Sequence, residues 1–363
     1  MASTHPQPSS PDAYSIVDLF AGPGGLDVAA EVLGVRTTGV EWDAGACATR
    51  RKAGLITVEG DVRTSRPADF PEANVLTGGP PCQTFTVAGS GSGRRALDAV
   101  LAFVRRVVDR DKAANIDTDL EKLKDVRTGL VLEPLRWALD VIDAPELSPY
   151  EVIVLEQVPS VLPVWEAYAE ALRDEGYDAT CGILRAEEFG VPQTRRRAVL
   201  VARRNGRAQL PMPTHQPYRR GTSPTLGNPA LLPWVAMAEV LPQRSAPFEV
   251  ISNYGTGGDP KARGRRHSSQ PSATVTGKIS RNRVVAEDGT ELPRFSLAEA
   301  GLLQSFPAAY PWSGTDMAQQ IGNAVPPRLA LHVLSTALGW GPPSQATLER
   351  LATWRPGKGS RAG

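Results

Sequence analysis

The chain has 363 residues, and its formal net charge is +1. This length allows one large domain and a smaller one, and no apolar run is long enough to span a membrane. The three cysteines are too few and too scattered for a disulfide framework or a Cys-based zinc site. The four histidines do not have the spacing of metal ligands. Residues 1–12 are polar and lack the apolar core of a signal peptide, so we expect a loose tail and a cytoplasmic protein.

The near-neutral charge conceals a strong asymmetry along the chain. Residues 189–286 contain 16 Lys and Arg against three acids, a net +13 that leaves −12 for the remainder. A basic block in an otherwise acidic chain favours a polyanionic partner, most simply nucleic acid, over a merely solvated surface.

The first predicted elements are a strand, a glycine-rich turn and a helix. Residues 14–20 are apolar and β-branched, residues 22–25 (GPGG) form the turn, and residues 26–33 have helical character. Such a turn directs backbone N–H groups and the positive helix end at one point. An ordinary tight β–α turn remains the alternative.

Acidic residues then follow consecutive predicted strands. Residues 35–40 form a strand that ends in Glu41, about 20 residues after the glycine turn, where dinucleotide-type folds carry a ribose-binding acid. A helix over residues 45–53 and a strand over residues 55–59 lead to Asp61. Because ligands bind at the carboxyl ends of parallel strands, Asp18, Glu41, Asp61 and Cys82 are predicted to converge. Helix caps are the alternative for each acid taken singly.

A candidate nucleophile follows the next predicted strand. Gly78 and Gly79 permit a sharp turn, and Pro80 and Pro81 fix two successive φ angles before Cys82. A thiol presented stiffly beside glycines suits nucleophilic catalysis, whereas an incidental buried cysteine is the alternative.

The middle of the chain continues the α/β alternation. Residues 87–93 form a glycine–serine loop that could close over a site, residues 97–108 an amphipathic helix, and residues 109–124 a charged surface helix. A helix over residues 127–142 precedes a strand over residues 150–155 that ends in Glu156. Further elements are a helix at 161–174, strands at 177–184 and 198–201, and helices at 297–306 and up to Leu338. Residues 205–270 are loop-rich but keep Trp234, Phe248 and Tyr254.

Six stretches, in order, resemble the motifs of the C5-cytosine DNA methyltransferase family. They are residues 18–25 (DLFAGPGG), 79–85 (GPPCQTF), 156–158 (EQV), 193–197 (QTRRR), 304–307 (QSFP) and 320–326 (QIGNAVP). Two departures stand out: Gln157 replaces the family's Asn, and residues 94–124 lengthen the common core.

The resemblance implies a Rossmann-like, doubly wound, mostly parallel α/β sheet of the class I methyltransferase type, with a smaller loop-rich target-recognition domain. The expected boundaries are a tail at 1–13, a catalytic domain at 14–204, a target-recognition domain at 205–294 and a return to the catalytic domain at 295–363. The implied activity is DNA (cytosine-5-)-methyltransferase, with S-adenosyl-L-methionine as cofactor. Double-stranded DNA is the implied partner, with a base flipped out of the duplex. A cognate restriction endonuclease is a candidate partner, and we expect a monomer that binds no metal.

The resemblance also assigns site residues. Cys82 would attack cytosine C6, Glu156 would hydrogen-bond or protonate N3, and Arg195 and Arg197 would lie beside the base, Arg197 near O2. The implied cofactor-binding residues are Asp18, Phe20, Gly22, Gly24, Gly25, Glu41, Trp42, Asp61, Val62, Pro80, Asn323 and Ala324. Candidate DNA contacts are Gln83, Thr86, Arg219, Arg220, Arg263, Arg265 and Arg266.

Three alternatives stay open on sequence alone. An RNA cytosine methyltransferase of the same fold is favoured by Phe85-Thr86, but the chain lacks the Cys that those relatives carry in their recognition region. A catalytically silent DNA-binding regulator is disfavoured by Cys82, Glu156 and the glycine loop. A nicotinamide oxidoreductase is disfavoured by the Pro-Pro-Cys turn and the basic block.

Overall fold

The structure, a computed structural model, describes residues 10–81, 91–121, 126–253 and 263–357, with backbone alone at residues 91–96, 113 and 126–128. Within these ranges, seven strands form the larger sheet: β1 (Ser15–Leu19), β2 (Arg36–Glu41), β3 (Thr57–Glu59), β4 (Val75–Gly78), β5 (Val152–Gln157), β6 (Asp178–Arg185) and β7 (Arg196–Arg203). Their order is β3-β2-β1-β4-β5-β7-β6. All the strands run parallel except β7, which pairs antiparallel with both β5 and β6.

Helices cover both faces of this sheet. They are α1 (Gly25–Leu33), α2 (Ala44–Ala53), α3 (Gly91–Val108), α4 (Ala113–Leu120), α5 (Glu133–Asp143) and α6 (Leu162–Asp174). Alternate residues of β5 face opposite ways: Ile153 and Leu155 join one apolar cluster, while Val152 and Val154 join another. The predicted doubly wound α/β sheet is therefore confirmed.

A second, smaller sheet follows β7. It consists of β8 (Phe248–Ile251), β9 (Arg265–His267), β10 (Arg283–Ala286) and β11 (Glu291–Leu292), paired antiparallel in the order β11-β10-β8-β9. A short helix, α7 (Met237–Val240), precedes it. Phe248 and Val284 of this sheet are fully buried in a third apolar cluster.

The remaining helices are α8 (Leu297–Leu303), α9 (Met317–Asn323), α10 (Pro327–Ala337) and α11 (Gln345–Ala352). Helix α10 packs against β5 and β7 of the larger sheet, and α11 packs against α1 and α10. Leu331 and Leu351 lie in the same apolar cluster as Val152 and Val154. By contrast, Ala300 and Leu303 of α8 and Ile321 of α9 lie in the third cluster, with the smaller sheet. The chain has thus returned to the apolar cluster of the larger sheet by Phe306 and Tyr310, before α9, and the boundary expected at residue 295 stays a prediction.

The lengthened segment of the chain is built into the larger domain. Val100, Val104 and Val107 of α3 lie in the first apolar cluster, as the helical spacing predicted, and Phe103 joins them. Helix α4 is largely exposed, as expected, but Ile116 is 1% exposed and anchors it to the same cluster. No helix of the described ranges is both long and apolar enough to cross a membrane.

Candidate active site

A cavity of about 460 Å³ opens at the carboxyl ends of β1, β2, β4 and β5. The chain reverses its direction of winding between β1 and β4, and ligands of open α/β sheets bind at such a switch point. The wall combines residues from both halves of the chain, from Asp18 to Val325. The structure therefore brings the predicted strand ends together, as the sequence indicated.

The turn after β1 shapes one end of the cavity. Phe20 and Gly22 have φ angles of 59° and 56°, in the left-handed region. A phenylalanine held there is strained, which is typical of functional sites. A Cβ at Gly22 would meet no atom within 4 Å, so this position opens onto free space.

Gly24 and Gly25 are needed for packing. A Cβ at Gly24 would come within 2.2 Å of Leu55 Cδ1, and one at Gly25 within 2.1 Å of the Val325 carbonyl oxygen. Gly25 lines the cavity, but Gly24 is not among the lining residues. Gly24 was expected to bind the cofactor. In the structure, its missing side chain allows the turn to pack closely against Leu55.

Glu41 holds this turn in place. Its Oε2 accepts a hydrogen bond from Gly22 N at 2.7 Å, and its Oε1 accepts from the amides of Trp42 and Asp43 at 2.9 and 2.7 Å. Burial raises the pKa of the Glu41 carboxyl, while these amide donors and Arg50 lower it. Beside it, the Trp42 indole is 59% exposed at the cavity rim, an open flat surface for a ring.

Asp18 and Asp61 lie on the wall in contrasting settings. Asp18 is 3% exposed and accepts a hydrogen bond from Thr77 Oγ1 at 2.7 Å, and burial raises its pKa to about 8. Asp61 forms an ion pair with Arg63, which lowers the pKa of the Asp61 carboxyl. Val62, which directly follows Asp61 in the sequence, also lines the wall.

The opposite end of the cavity carries an acid–guanidinium pair. Arg197 Nε lies 2.7 Å from Glu156 Oε1, and each side chain is 13% exposed. Gly79 and Pro81 line the wall beside this pair, whereas Pro80 contributes its carbonyl to Gln157 rather than a wall surface. Cys82, Gln83 and Thr86 lie outside the described residues, so their assignments stay predictions.

Arg195 departs from its expected place beside the base. Its side chain is 1% exposed, is not among the cavity lining, and donates to the carbonyls of Val275, Gly322 and Ala324 at 3.1, 2.9 and 3.2 Å. Burial lowers the pKa of the Arg195 guanidinium well below its ordinary value. The physical reason is that the loop before β7 packs under α9, which points Arg195 at backbone carbonyls.

Two glutamines complete this buried joint. Gln193 Nε2 donates to Leu303 O at 2.9 Å, and its Oε1 accepts from Val275 N at 2.9 Å. Gln304 Nε2 donates to Ile321 O at 2.6 Å. Three of the predicted motifs therefore meet in one polar joint that fixes the smaller sheet and α9 against the cavity.

The C-terminal motif supplies the remaining wall. Asn323 and Ala324 line the cavity, as expected. Leu130, Asp316 and Gln319 also line it but were not predicted. Gln319 directly precedes the 320–326 motif, which was a usable signal, whereas Leu130 and Asp316 lie in stretches without one.

A basic groove of about 550 Å³ adjoins the cavity, and Arg197 lines both. The other lining residues are Pro159, Arg185, Glu187, Thr194, Arg196, Tyr218, Arg220, Arg266 and Thr274. Arg266 lies over the Tyr218 ring, 4.7 Å from its centroid, and donates to the Tyr218 hydroxyl at 3.2 Å. Of the five arginines proposed for DNA, the groove thus includes Arg220 and Arg266.

The other three predicted arginines lie apart from the groove lining. Arg219 is exposed next to Arg220, and Arg263 is half-buried. Arg265 forms an ion pair with Glu249 at 2.5 Å. Conversely, Arg185 lines the groove without having been predicted. Arg196 lines it too, and it belongs to the run of three arginines before β7 that the sequence indicated as a possible grip for phosphate or a base edge.

Comparison with known proteins agrees with this arrangement. The sequence model described as C-5 cytosine-specific DNA methylase matches residues 14–110 and 150–231. The chain is 28% identical to the type II methyltransferase M1.HphI of Haemophilus parahaemolyticus, over 90% of this chain and 87% of that one. It is 26% identical to M.Sau96I of Staphylococcus aureus, over 88% and 74% respectively.

Solved structures of other proteins share the fold of this chain. The Schizosaccharomyces pombe Dnmt2 methyltransferase superposes with a TM-score of 0.57 at 17% identity, covering 90% of this chain and 98% of that one. A putative DNA modification methyltransferase encoded within an Escherichia coli prophage gives a TM-score of 0.52 at 18% identity, covering 88% and 97%. Residues from five of the six motifs line the cavity. The chain belongs to the C5-cytosine DNA methyltransferase family and is a DNA (cytosine-5-)-methyltransferase.

Proposed function

We propose that this enzyme methylates C5 of a cytosine flipped out of a specific duplex DNA sequence, through a covalent bond between Cys82 and C6, in a restriction–modification setting. One observation carries the proposal. A single cavity has a glycine turn and an open indole at one end and the Glu156–Arg197 pair at the other, and it opens beside a basic groove.

The residues of the glycine-turn end fit S-adenosylmethionine. The cavity volume lies in the range of small-molecule sites. The exposed face of Trp42 suits the adenine ring, and the Glu41 carboxylate beside it suits ribose hydroxyls. Gly22 leaves open space where a Cβ would stand, and the start of α1 favours the carboxylate of the methionine portion. When bound, this group supplies an electrophilic methyl.

The chemistry at the other end follows from cytosine. C5 gains nucleophilic character when the Cys82 thiolate forms a bond to C6, because the electron pair of the C5–C6 bond then shifts toward C5 and the ring. Glu156 would donate a proton or a hydrogen bond to N3, and Arg197 would bind O2, so both would stabilise the negative charge of the ring. After C5 is methylated, its proton passes to a base and the S–C6 bond breaks, which restores the ring and the thiolate.

The groove supports a duplex substrate. Its arginines are typical phosphate ligands, and because Arg197 is shared, a strand that delivers a base to Glu156 must pass along the groove. We place sequence recognition in residues 205–294, whose basic side chains flank this groove. A base at the cavity end would have to leave the stack first.

The decisive experiment uses duplex DNA containing 5-fluorocytosine, in which a fluorine replaces the C5 hydrogen. Because fluorine cannot leave as a cation, the S–C6 bond of the methylated adduct cannot break by elimination. Wild-type protein with S-adenosylmethionine should form an adduct that survives denaturing electrophoresis, and Cys82→Ala should bind DNA without forming one. An adduct with Cys82→Ala, or none with wild type on any substrate, would refute the mechanism. An RNA substrate run in parallel distinguishes the related RNA activity, and bisulfite sequencing of host DNA reveals the target sequence.

The groove is tested separately by salt titration. Arg220→Ala and Arg266→Ala should weaken binding on all sequences and reduce the slope of log K against log salt by about 1 per lost phosphate contact. Arg36→Ala is the matched control, since Arg36 is exposed at the amino end of β2, on the opposite edge of the sheet. If both groove variants keep the wild-type slope, the groove does not bind phosphate.

The recognition region is tested by exchange with a related enzyme of different specificity. Replacement of residues 205–270 leaves Ser272 and Val275, and with them the contacts to Thr194, Gln193 and Arg195, in place. We expect the chimera to methylate the donor enzyme's sequence. A chimera that is active on the original sequence would place recognition elsewhere.

A further inference from the structure

One carboxyl group lies among the arginines of the basic groove. Glu187 lines this groove and its side chain is buried, with the residue 4% exposed. The arginines that share the lining are Arg185, Arg196, Arg197, Arg220 and Arg266. Among the described residues of the lining, Glu187 is the one acid. An acid in a groove that otherwise suits phosphate calls for a ligand of different chemistry at this point.

The arginines do not neutralise this carboxyl group. Within the described ranges none of them forms an ion pair with Glu187, and Arg185 instead lies 4.0 Å from the neighbouring Glu188. Glu187 Oε2 is buried and has no hydrogen-bond partner among the described residues. Burial raises the pKa of the Glu187 carboxyl, while the backbone N–H groups of Glu187 and Arg195 lower it. A buried acceptor without a partner carries a desolvation cost, which a donor from a ligand would offset.

The chemistry of duplex DNA limits what this acceptor can bind. Phosphate and deoxyribose oxygens within the strand donate no hydrogen bond, and a carboxylate repels phosphate. The donors that a duplex presents in its grooves are exocyclic amino groups: N4 of cytosine and N6 of adenine in the major groove, and N2 of guanine in the minor groove. Glu187 therefore marks a point where the edge of a base, rather than the backbone, faces the protein.

We propose that Glu187 is a specificity-determining residue, which accepts a hydrogen bond from the exocyclic amino group of a base close to the target cytosine. This inference rests on the proposed function and adds a reader of sequence outside residues 205–294. Arg185 pairs with Arg196 across β6 and β7, so Glu187 lies only a few residues from Arg197, which lines both the groove and the cavity. The base that Glu187 meets is therefore a near neighbour of the flipped cytosine.

The test removes the amino group and the carboxylate in turn. Bisulfite sequencing of host DNA first supplies the methylated sequence. Duplexes are then made in which one base at a time, other than the target, lacks its amino group: purine replaces adenine, 2-pyrimidinone replaces cytosine and hypoxanthine replaces guanine. These three arms identify the base and, with it, the groove. For each duplex, kcat/KM for methylation is measured with wild type, Glu187→Leu and Glu188→Leu.

We expect one amino deletion to lower kcat/KM of the wild type by about 10-fold or more, as for other base contacts. The same deletion should leave kcat/KM of Glu187→Leu unchanged, because the acceptor is already absent. Glu188→Leu is the matched control, since Glu188 is the next residue in the same turn but is not part of the groove lining, and it should keep the sensitivity of the wild type.

Glu187→Gln keeps the size of the side chain, so it replaces Glu187→Leu if that variant does not fold. Its penalty for the same deletion should be smaller than that of the wild type, because a neutral acceptor binds an amino group less strongly than a carboxylate does. The inference is overturned if every amino deletion affects wild type and the Glu187 variants equally. A wild type that forms no adduct with 5-fluorocytosine DNA would instead refute the proposed function, so the two failures are distinguishable.

Discussion

The ion pair beneath the glycine turn offers a sharp test of the structure. Arg50 Nη1 and Nη2 donate to the two oxygens of Asp27 at 2.8 and 2.7 Å, and the side chains are 0% and 2% exposed. Arg50 also donates to Thr57 Oγ1 and Ile56 O, so it ties α2 to α1 and to the β3 edge. We predict that Asp27→Asn severely destabilises the protein.

The magnitude follows from burial. Removing one partner of a buried pair leaves a charge without compensation and costs about 3–5 kcal/mol. A matched surface pair, Arg51 with Glu59 at 2.6 Å, has side chains 59% and 48% exposed. Solvent screens that pair, so Glu59→Gln should cost less than about 1 kcal/mol.

Urea unfolding followed by circular dichroism measures both changes, at low and high salt. Asp27→Asn should shift the midpoint strongly at either ionic strength, since salt screens buried charges little. The double change Asp27→Leu with Arg50→Met should be less destabilising than Asp27→Asn alone, because it leaves no buried charge. If Asp27→Asn costs no more than Glu59→Gln, the pair is not buried as described.

Three further predictions address other parts of the molecule. Burial lowers the pKa of His332 to about 3, so below pH 6.5 the unfolded chain binds a proton that the folded chain does not. The contribution of His332 to the free energy of unfolding should therefore decrease as the pH is lowered, by about 2 kcal/mol at pH 5, and His332→Leu should remove that decrease. Equal acid sensitivity in wild type and variant would contradict this. Arg195→Met strips the donor from three carbonyls and should cost at least about 3 kcal/mol in urea; a variant of wild-type stability that has lost its methylation rate would instead place Arg195 at the base. Glu41→Gln should weaken S-adenosylmethionine binding by about 1.5–3 kcal/mol in calorimetry, with Glu59→Gln as the control, and unchanged affinity would exclude Glu41 from the site.

The sequence alone determined the order of strands and helices in the first 204 residues and the approximate positions where those strands end, whereas the four strands of the smaller sheet and α11 were not predicted. These signals are local: an apolar run, then glycine or proline, then an amphipathic stretch. They predicted Asp18, Glu41, Glu156 and the turn before Cys82 at one edge of a parallel sheet, and the described members line one cavity. Winding of such sheets follows a few rules, so local signals were sufficient for the fold class.

Only the tertiary structure decided what individual polar side chains do. Arg195 reaches Gly322, 127 residues away in sequence, and no local pattern indicates such a partner. Gln157 appeared merely as a departure from a motif until its amide was found on Pro80 O. Likewise, the composition reveals the positive charge of residues 189–286 but not the partner of each arginine. Arg265 forms an ion pair with Glu249, whereas Arg220 and Arg266 line the groove. A long side chain can satisfy its charge with any group within reach, and which groups are within reach is set by the packing of elements that are distant in sequence.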